Sequence, residues 1–431
     1  MISFGQLLRR NRNYRYTWTG QVVSEIGDHF NNIAVFSLAL ATTKSGLVVS
    51  GVMLSRAIPA VLAGPIAGVL LDRLNRKHVM IASDLIRAVV ALGFILCAHR
   101  SDTALLYLFS SLLMFASPFF TSGRSAILPT ITTPDELHTA NSLTQTTQWT
   151  TITIGTFAAG ISVTQFGYAW AFILNSFSFL FSAWCVWHLH VEGDAFQPRK
   201  KALTEAEVVR PWHEYVEGLR YMRANPLILG IALIGVGWAT GGGAAQILFS
   251  LFGELVFNRG PAGIGEVWGC AGMGLLVGGA IAYWLGRRIS FRGYKCAVSI
   301  CYILHGSTYI IFSQMRNYYL ALLFIALSRA AVAVSSVLNM SQLLKHVSDE
   351  YRGRVFATME SMVWSVMMVS MTAAGIASEY YSPRLIAGIA GALSSTTAIF
   401  WAWANVTGRL PEPAPSGIAR DEVEVHGEPT I

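Results

Sequence analysis

Apolar residues gather along this chain in stretches of about 20, each long enough for a helix to cross a hydrocarbon core about 30 Å thick. Such spans fall at 15–41, 47–71, 79–98, 103–124, 141–164, 168–189, 226–252, 263–285, 295–313, 317–342, 355–378 and 383–405. The pattern predicts an all-α membrane protein with twelve transmembrane helices. One long polar stretch, 190–225, divides the spans into two sets of six. Within it Pro211 can open a helix and Pro226 the next, while Trp212, Tyr215, Val216, Leu219 and Met222 recur at helical spacing with charges opposite. That spacing predicts an interfacial amphipathic helix, with a solvated linker helix as the competing reading. Residues after Gly408 are rich in Pro, Glu and Gly and predict a disordered tail. The expected organisation is a six-helix bundle at 1–189, a linker at 190–225, a second bundle at 226–406 and a tail at 407–431.

Composition agrees with this pattern. Of 431 residues, 53% are hydrophobic and 13% charged, about half the charged share of soluble domains. The net charge of +7 does not mark a nucleic-acid binder, because the basic residues cluster in alternate loops. Arg9, Arg10, Arg12 and Arg15; Arg73, Arg76 and Lys77; Arg199, Lys200, Lys201 and Arg210; and Arg287, Arg288 and Arg292 lie on one side. The opposite loops hold Lys44, Arg100, Arg259, Arg316 and Arg384. The positive-inside rule then places both termini in the cytoplasm. The N-terminal arginines precede a full-length span with no small-residue cleavage site, so no signal peptide is expected. Cys97, Cys185, Cys270, Cys296 and Cys301 sit in or beside apolar runs without disulfide or metal-ligand spacing and read as packing residues.

A repeat joins the two halves. Asp72-Arg73 follows span two and Gly286-Arg287 follows span eight, while Asp135-Glu136 follows span four and Asp349-Glu350 follows span ten; both pairs are separated by 214 residues. A parallel duplication of six helices leaves this offset, and predicts two bundles related by a pseudo-twofold axis.

The stretch GPIAGVLLDRLNRKH, Gly64 to His78, reads as a short cytoplasmic hinge. Gly64 and Gly68 share one helical face, where a neighbouring backbone can approach closely, and Asp72 offers a carboxylate to Arg73 and Arg76. Gly68, Leu70, Asp72, Arg73, Arg76 and Lys77 match the G-x-L-x-D-R-x-G-R-K loop of the major facilitator superfamily, with Asn75 in place of the second glycine. Asn tolerates a left-handed backbone, so the turn is expected to survive. QVVSEIGD, DRLNRKHVMIASDLIRA, ILPTITTPDELHTANSL and DEYRGRVFA also resemble the bacterial branch of that family containing macrolide efflux pumps and the enterobactin exporter. The resemblance implies a transporter of the bacterial inner membrane whose Gly68, Asp72, Arg73, Arg76 and Lys77 gate the cytoplasmic side. Two features depart from drug–proton antiporters of the family. Span five has Thr156 within GTFAAG where a Gly-Pro kink is usual, and Arg124 lies at the cytoplasmic end of span four instead of within it.

Ionisable groups inside a span are costly unless they face a cavity or a partner, which makes each a functional candidate. Gln21, Glu25, Asp28, His29 and Asn32 follow a polar face of span one, with Asp28 about 20 Å inward of Arg15. Arg56 lies about 14 Å from the outer end of span two and can meet Asp28 or Glu25. Asp28, Glu25 and Arg56 are therefore the expected proton-coupling group, with a static packing pair as the competing reading. Arg329, about 18 Å into span ten, is a counter-charge candidate; His305, about 15 Å into span nine, reads as a hydrogen-bonded packing residue. Glu360 ranks behind Asp28 because it lies nearer the cytoplasmic end of its span. The run GWATGGGAAQ, Gly237 to Gln246, predicts a bending helix or a close helix contact, and its Gly242 is the repeat mate of Asp28. Span five opens on Asn141, Ser142, Gln145, Thr146, Gln148 and Trp149, too polar for lipid. The expected substrate cavity comprises Gln21, Asn32, Gln145, Trp149, Trp238, Gln246, Arg329 and Trp364, with Met368 nearby.

These features predict a secondary active transporter exporting an amphipathic small molecule, a drug, macrolide or siderophore, in exchange for protons. Uptake, or lipid or lysolipid transport, on the same fold is the alternative. An intramembrane enzyme is a lesser one, since H-E-x-x-H, G-x-S-x-G and a soluble catalytic domain are missing; G-x-x-x-x-G-K-[ST] is missing as well. The linker of about 35 residues is too short for the output domain of a receptor. No cofactor or metal is expected. The expected partners are protons, lipids and one small molecule, with the chain acting as a monomer.

Overall fold

The computed structural model describes residues 2–100, 102–191, 196–197 and 211–412. Arg199, Lys200, Lys201, Arg210 and the chain beyond Glu412 lie outside the described residues. The helices, in chain order, are α1 Phe4–Arg10, α2 Arg12–Thr43, α3 Gly46–Leu71, α4 Arg76–Arg100, α5 Thr103–Ile131, α6 Pro134–Phe166, α7 Tyr168–Trp187, α8 Pro211–Ala224, α9 Pro226–Leu251, α10 Gly260–Gly286, α11 Phe291–Gln314, α12 Tyr318–His346, α13 Asp349–Ala377 and α14 Pro383–Val406. A single π turn, Phe252–Val256, continues α9. Among the described residues, ten helices are long and apolar enough to cross a membrane. α2 and α6, of 32 and 33 residues, are long enough but too polar to be counted with them. Their polarity is what a helix lining the interior of a bundle requires.

Local chemistry sets the helix ends. Asn11 Oδ1 accepts from the Tyr14 amide at the start of α2, and Ser45 Oγ accepts from the Val48 amide at the start of α3. Pro134, Pro226 and Pro383 occupy first helical positions, where a missing N–H costs nothing. The Glu136 carboxylate accepts from the Thr133 amide at 3.0 Å and from Asn11 Nδ2 at 2.9 Å, tying the start of α6 to the α1–α2 junction. That binding explains the acidic pair between spans four and five. The short α1, which hydropathy alone does not reveal, buries Leu7 completely.

The chain forms two compact units. The first contains α1–α7 with 246–273 and 372–383; the second contains α8 with 226–245, 274–371 and the chain from Arg384. In the first unit α2 packs on α6 and α7, α3 on α5, and α4 on α5 and α7. Two crossings of small residues join the added segments to it. Gly46 and Ser50 of α3 meet Ser378 and Gly375 at the end of α13, while Gly160 of α6 meets Pro261 and Gly265 of α10. Moving Gly46 and Gly160 forward by 214 lands on Gly260 and Ala374, so one crossing is the repeat image of the other to within about a residue.

In the second unit α8 lies on α13. Arg354 pairs with Glu217 at 3.0 Å, the Tyr221 and Tyr351 rings stack at 4.8 Å, and Met222 is fully buried. Much of the stripe expected to face lipid is thus covered by protein, leaving Trp212 exposed against Tyr215. Beyond α14, Leu410 is buried and its carbonyl accepts from Lys295 Nζ, so the chain stays docked past the point where a loose tail was expected.

Glycines that suggested a flexible α9 serve packing instead. The helix runs unbroken through Gly241–Gly243, and a Cβ at Gly241 would strike the Ala390 carbonyl of α14, while one at Gly243 would strike the Met367 carbonyl of α13. Conversely, nothing approaches within 4 Å of the Cβ positions of Gly64 or Gly68; in that stretch of α3 it is Ala63 and Ala67 that are buried.

Candidate functional site

Three carboxylates and three guanidiniums converge within the first unit. Glu25 and Asp28 come from α2, Arg56 from α3, Asp84 and Arg87 from α4, and Arg124 from α5. Formal charge cancels, which is how ionised groups are tolerated away from water. Glu25 is held on all sides. Gln21 Nε2 donates to Oε1 at 2.8 Å, Thr151 Oγ1 donates to Oε2 at 2.8 Å, and Arg124 Nη1 stands 3.7 Å from Oε1.

Asp28 is different. It makes no hydrogen bond or ion pair among the described residues, and its Oδ1 is buried. Arg56 likewise has a buried, unpartnered Nη1 and sits over the Phe36 ring at 5.8 Å. The two charges act on each other electrostatically without contact, so the pairing expected from their depths is one of proximity only. An ionised group with this little fixed solvation is poised to change protonation or partner.

Three members of this network escape a reading based on the polar face of span one, the Asp84–Arg87 pair and Arg124. Asp84 and Arg87 pair one turn apart on α4 and are fully buried. They lie inside a span, and the cost of an ionisable group there, the signal that marks Asp28, marks them as well. Arg124 is the second correction. α5 continues through Pro129 to Ile131, placing Arg124 about 10 Å inside the helix end and against Glu25. It belongs to the interior, not to the cytoplasmic edge.

The remaining expected cavity residues belong to both units. In the first unit Gln21 is buried by its bond to Glu25, Asn32 has a buried unpartnered Oδ1, Gln145 is exposed, and Trp149 and Gln246 are half-buried. Thr156 sits in an unbroken α6 and donates to the Ile152 carbonyl at 2.7 Å. In the second unit Trp238 is half-buried, Trp364 is exposed, and Arg329 is buried near His305 and Tyr309. His305 Nδ1 lies 2.7 Å from Ser328 Oγ and its Nε2 3.3 Å from Ser394 Oγ, the bonding of a packing histidine.

The hinge between α3 and α4 also differs from its expected form. Asp72 and Arg73 are exposed, and Asp72 makes no ion pair with Arg73 or Arg76. Asn75 is not left-handed; its Oδ1 accepts from the amides of Lys77 at 3.0 Å and His78 at 3.4 Å, capping α4. A side-chain cap does here what a flexible glycine turn does in the family loop. Lys77 Nζ donates to the Trp187 and Leu189 carbonyls at 2.7 and 2.9 Å, placing a cation at the negative end of α7. Arg76 Nη1 reaches the Ala126 carbonyl at 3.4 Å.

The family model of the Major Facilitator Superfamily matches residues 17–370, and the chain belongs to that superfamily. It is a multi-pass integral membrane protein and a transporter, with small molecules as the substrates of the family. An uncharacterized MFS-type transporter, YfiS of Bacillus subtilis, is 26% identical over 90% of this chain and 92% of its own. Macrolide efflux protein A of Streptococcus pyogenes is 22% identical over 85% and 89%. The enterobactin exporter EntS of Escherichia coli is 26% identical over 72% and 71%. Among solved structures, a bacterial homologue of the iron transporter ferroportin in an inward-facing state superposes with a TM-score of 0.67 at 17% identity, covering 91% of this chain and 98% of that one, which speaks for the fold.

Proposed function

We propose that this protein exports an amphipathic small molecule across the bacterial inner membrane in exchange for protons. It acts as a single chain with both termini cytoplasmic, and its two halves alternate access to a central site. The observation that carries the proton-coupled reading is Asp28, a buried carboxylate without a fixed partner inside a neutral network in which Glu25 is held by Gln21, Thr151 and Arg124 and Asp84 is paired with Arg87. Efflux is supported by two relatives named as exporters, of a macrolide and of enterobactin. Asp28 takes a proton when its surroundings open outward and releases it when they open inward, with Glu25 and Arg56 setting the local field. Gln21, Asn32, Gln145, Trp149, Trp238, Gln246, Arg329 and Trp364 contribute to the substrate path, and Gly68, Asp72, Arg73, Arg76 and Lys77 to the cytoplasmic gate.

The test is purified protein in liposomes with an imposed pH gradient and a radiolabelled macrolide. Accumulation that collapses with a protonophore, with the macrolide recovered unchanged, supports the proposal. Accumulation indifferent to the gradient removes proton coupling, and a chemically altered product favours catalysis. The gate has its own check. Because Asp72 is exposed and unpaired, Asp72→Ala should alter stability by less than about 0.5 kcal/mol, yet slow turnover several-fold. A loss of substrate affinity at unchanged turnover would count against the gate.

A further inference from the structure

The ion pair on α4 is sealed from solvent, with the Arg87 and Asp84 side chains 3% and 0% exposed. Arg87 lies between two rings, Phe120 of α5 at 4.7 Å and Phe179 of α7 at 4.3 Å. Yet the pair is incomplete. Asp84 has the Ser182 hydroxyl of α7 beside it, but its Oδ2 makes no well-formed hydrogen bond, and Arg87 Nε is buried without a partner. A static brace in a medium this dry gains most by using every donor and acceptor, so the spare positions point to a second arrangement.

Asp28 is the group that can take part in it. Its Oδ1 is buried and unpartnered as well. α2 and α7 approach closely at this level, since a Cβ on Gly27 would stand 2.8 Å from Asn175 Oδ1, and Phe179, which covers Arg87, follows one turn later on α7. Arg87, Arg56, Glu25 and Asp84 all lie near enough to Asp28 to act on its charge, the two guanidiniums favouring ionisation and the two carboxylates opposing it. The other charged or titratable groups around this point are His29 on α2 and Arg124 on α5. α6 contributes Thr151, and α7 contributes Asn175, Ser178 and Ser182, which do not titrate, together with the Cys185 thiol, on which the Asp84 charge acts.

We infer that Arg87 is a positioning residue shared between Asp84 and Asp28. Its free donor turns toward Asp28 when that carboxylate is ionised, and back to Asp84 when Asp28 holds a proton. The flanking rings allow this, because a guanidinium can rotate in its own plane between two aromatic faces without losing either. Proton binding on α2 is thereby passed to α4. The inference rests on the reading of Asp28 as the coupling carboxylate.

Potentiometric titration of the purified full-length protein tests it without a substrate. Protons bound by wild type minus those bound by Asp28→Asn define the titration of Asp28. The same difference is then measured in the Arg87→Gln, Arg87→Lys and Asp84→Asn backgrounds. Arg87→Gln and Asp84→Asn should displace the Asp28 midpoint in opposite senses, by about one pH unit, with Arg87→Lys displaced less than Arg87→Gln. If a single variant aggregates on size exclusion, the neutral double variant Asp84→Asn/Arg87→Gln decides, and should move in the sense of Arg87→Gln. An Asp28 midpoint that stays in place throughout makes the pair a structural brace and overturns the inference. Absence of any difference between wild type and Asp28→Asn overturns the inference together with the role of Asp28 itself.

Discussion

Replacing Asp28 by asparagine should abolish pH-driven accumulation while leaving the folded protein in the membrane. For one proton exchanged per substrate, a gradient of about two pH units is worth about 2.7 kcal/mol, or a hundredfold concentration ratio. Wild type should approach that ratio, and the variant should fall to simple equilibration, a ratio near one. Folding should be spared, because Asp28 has no hydrogen bond or ion pair to lose and asparagine keeps its shape. Because the network then holds one more guanidinium than carboxylates, the thermal midpoint should fall modestly without loss of the folded protein. Flux of labelled macrolide, with and without the gradient, measures the effect. A variant that still concentrates substrate a hundredfold would remove Asp28 from the mechanism.

Gly265→Leu should disrupt the packing of the first unit strongly. A Cβ there would stand 2.8 Å from Gly160 Cα and strike the Thr156 carbonyl, so α6 and α10 cannot both keep their positions. The obstruction is backbone on both counts and no rotamer relieves it. Overpacking of this kind costs about 1–3 kcal/mol where side chains can yield, and the upper end applies here. The thermal midpoint should drop by several degrees, and transport should be lost because the crossing seen here cannot re-form. Gly64→Leu is the matched control, since nothing lies within 4 Å of its Cβ position. Equal tolerance at both positions would show that the α6–α10 crossing is not needed for the cycle.

Much of the fold is legible in the sequence because the bilayer demands it. Backbone polar groups in hydrocarbon must bond within their own segment, so apolar runs of about 20 residues become helices whatever surrounds them. α3, α4, α7, α10 and α14 begin and end close to where hydropathy places them. α5 is longer than expected because a single arginine looks like a boundary in a hydropathy profile, whereas a partner such as Glu25 lets the helix carry it inward. Only packing supplies the partner.

The same division runs through the candidate site. Periodicity placed Gln21, Glu25 and Asp28 on one face of α2, and the structure adds that Glu25 is pinned by Thr151 and Arg124 while Asp28 is not. Which of two carboxylates one turn apart is free depends on residues more than 90 positions away. The Gly241–Gly243 run shows the converse, since glycine permits both a bend and a close approach, and only the neighbours Ala390 and Met367 decide for approach.

Taken alone, the sequence determined the all-helical membrane class and the offset of 214 residues, because each depends on composition, periodicity or spacing along one chain, and it carried the motifs that resemble the family. Tertiary structure decided which charges meet, which remain unsatisfied and which glycines are contacts. Those properties belong to pairs of residues on different helices, and no local rule encodes the distance between them.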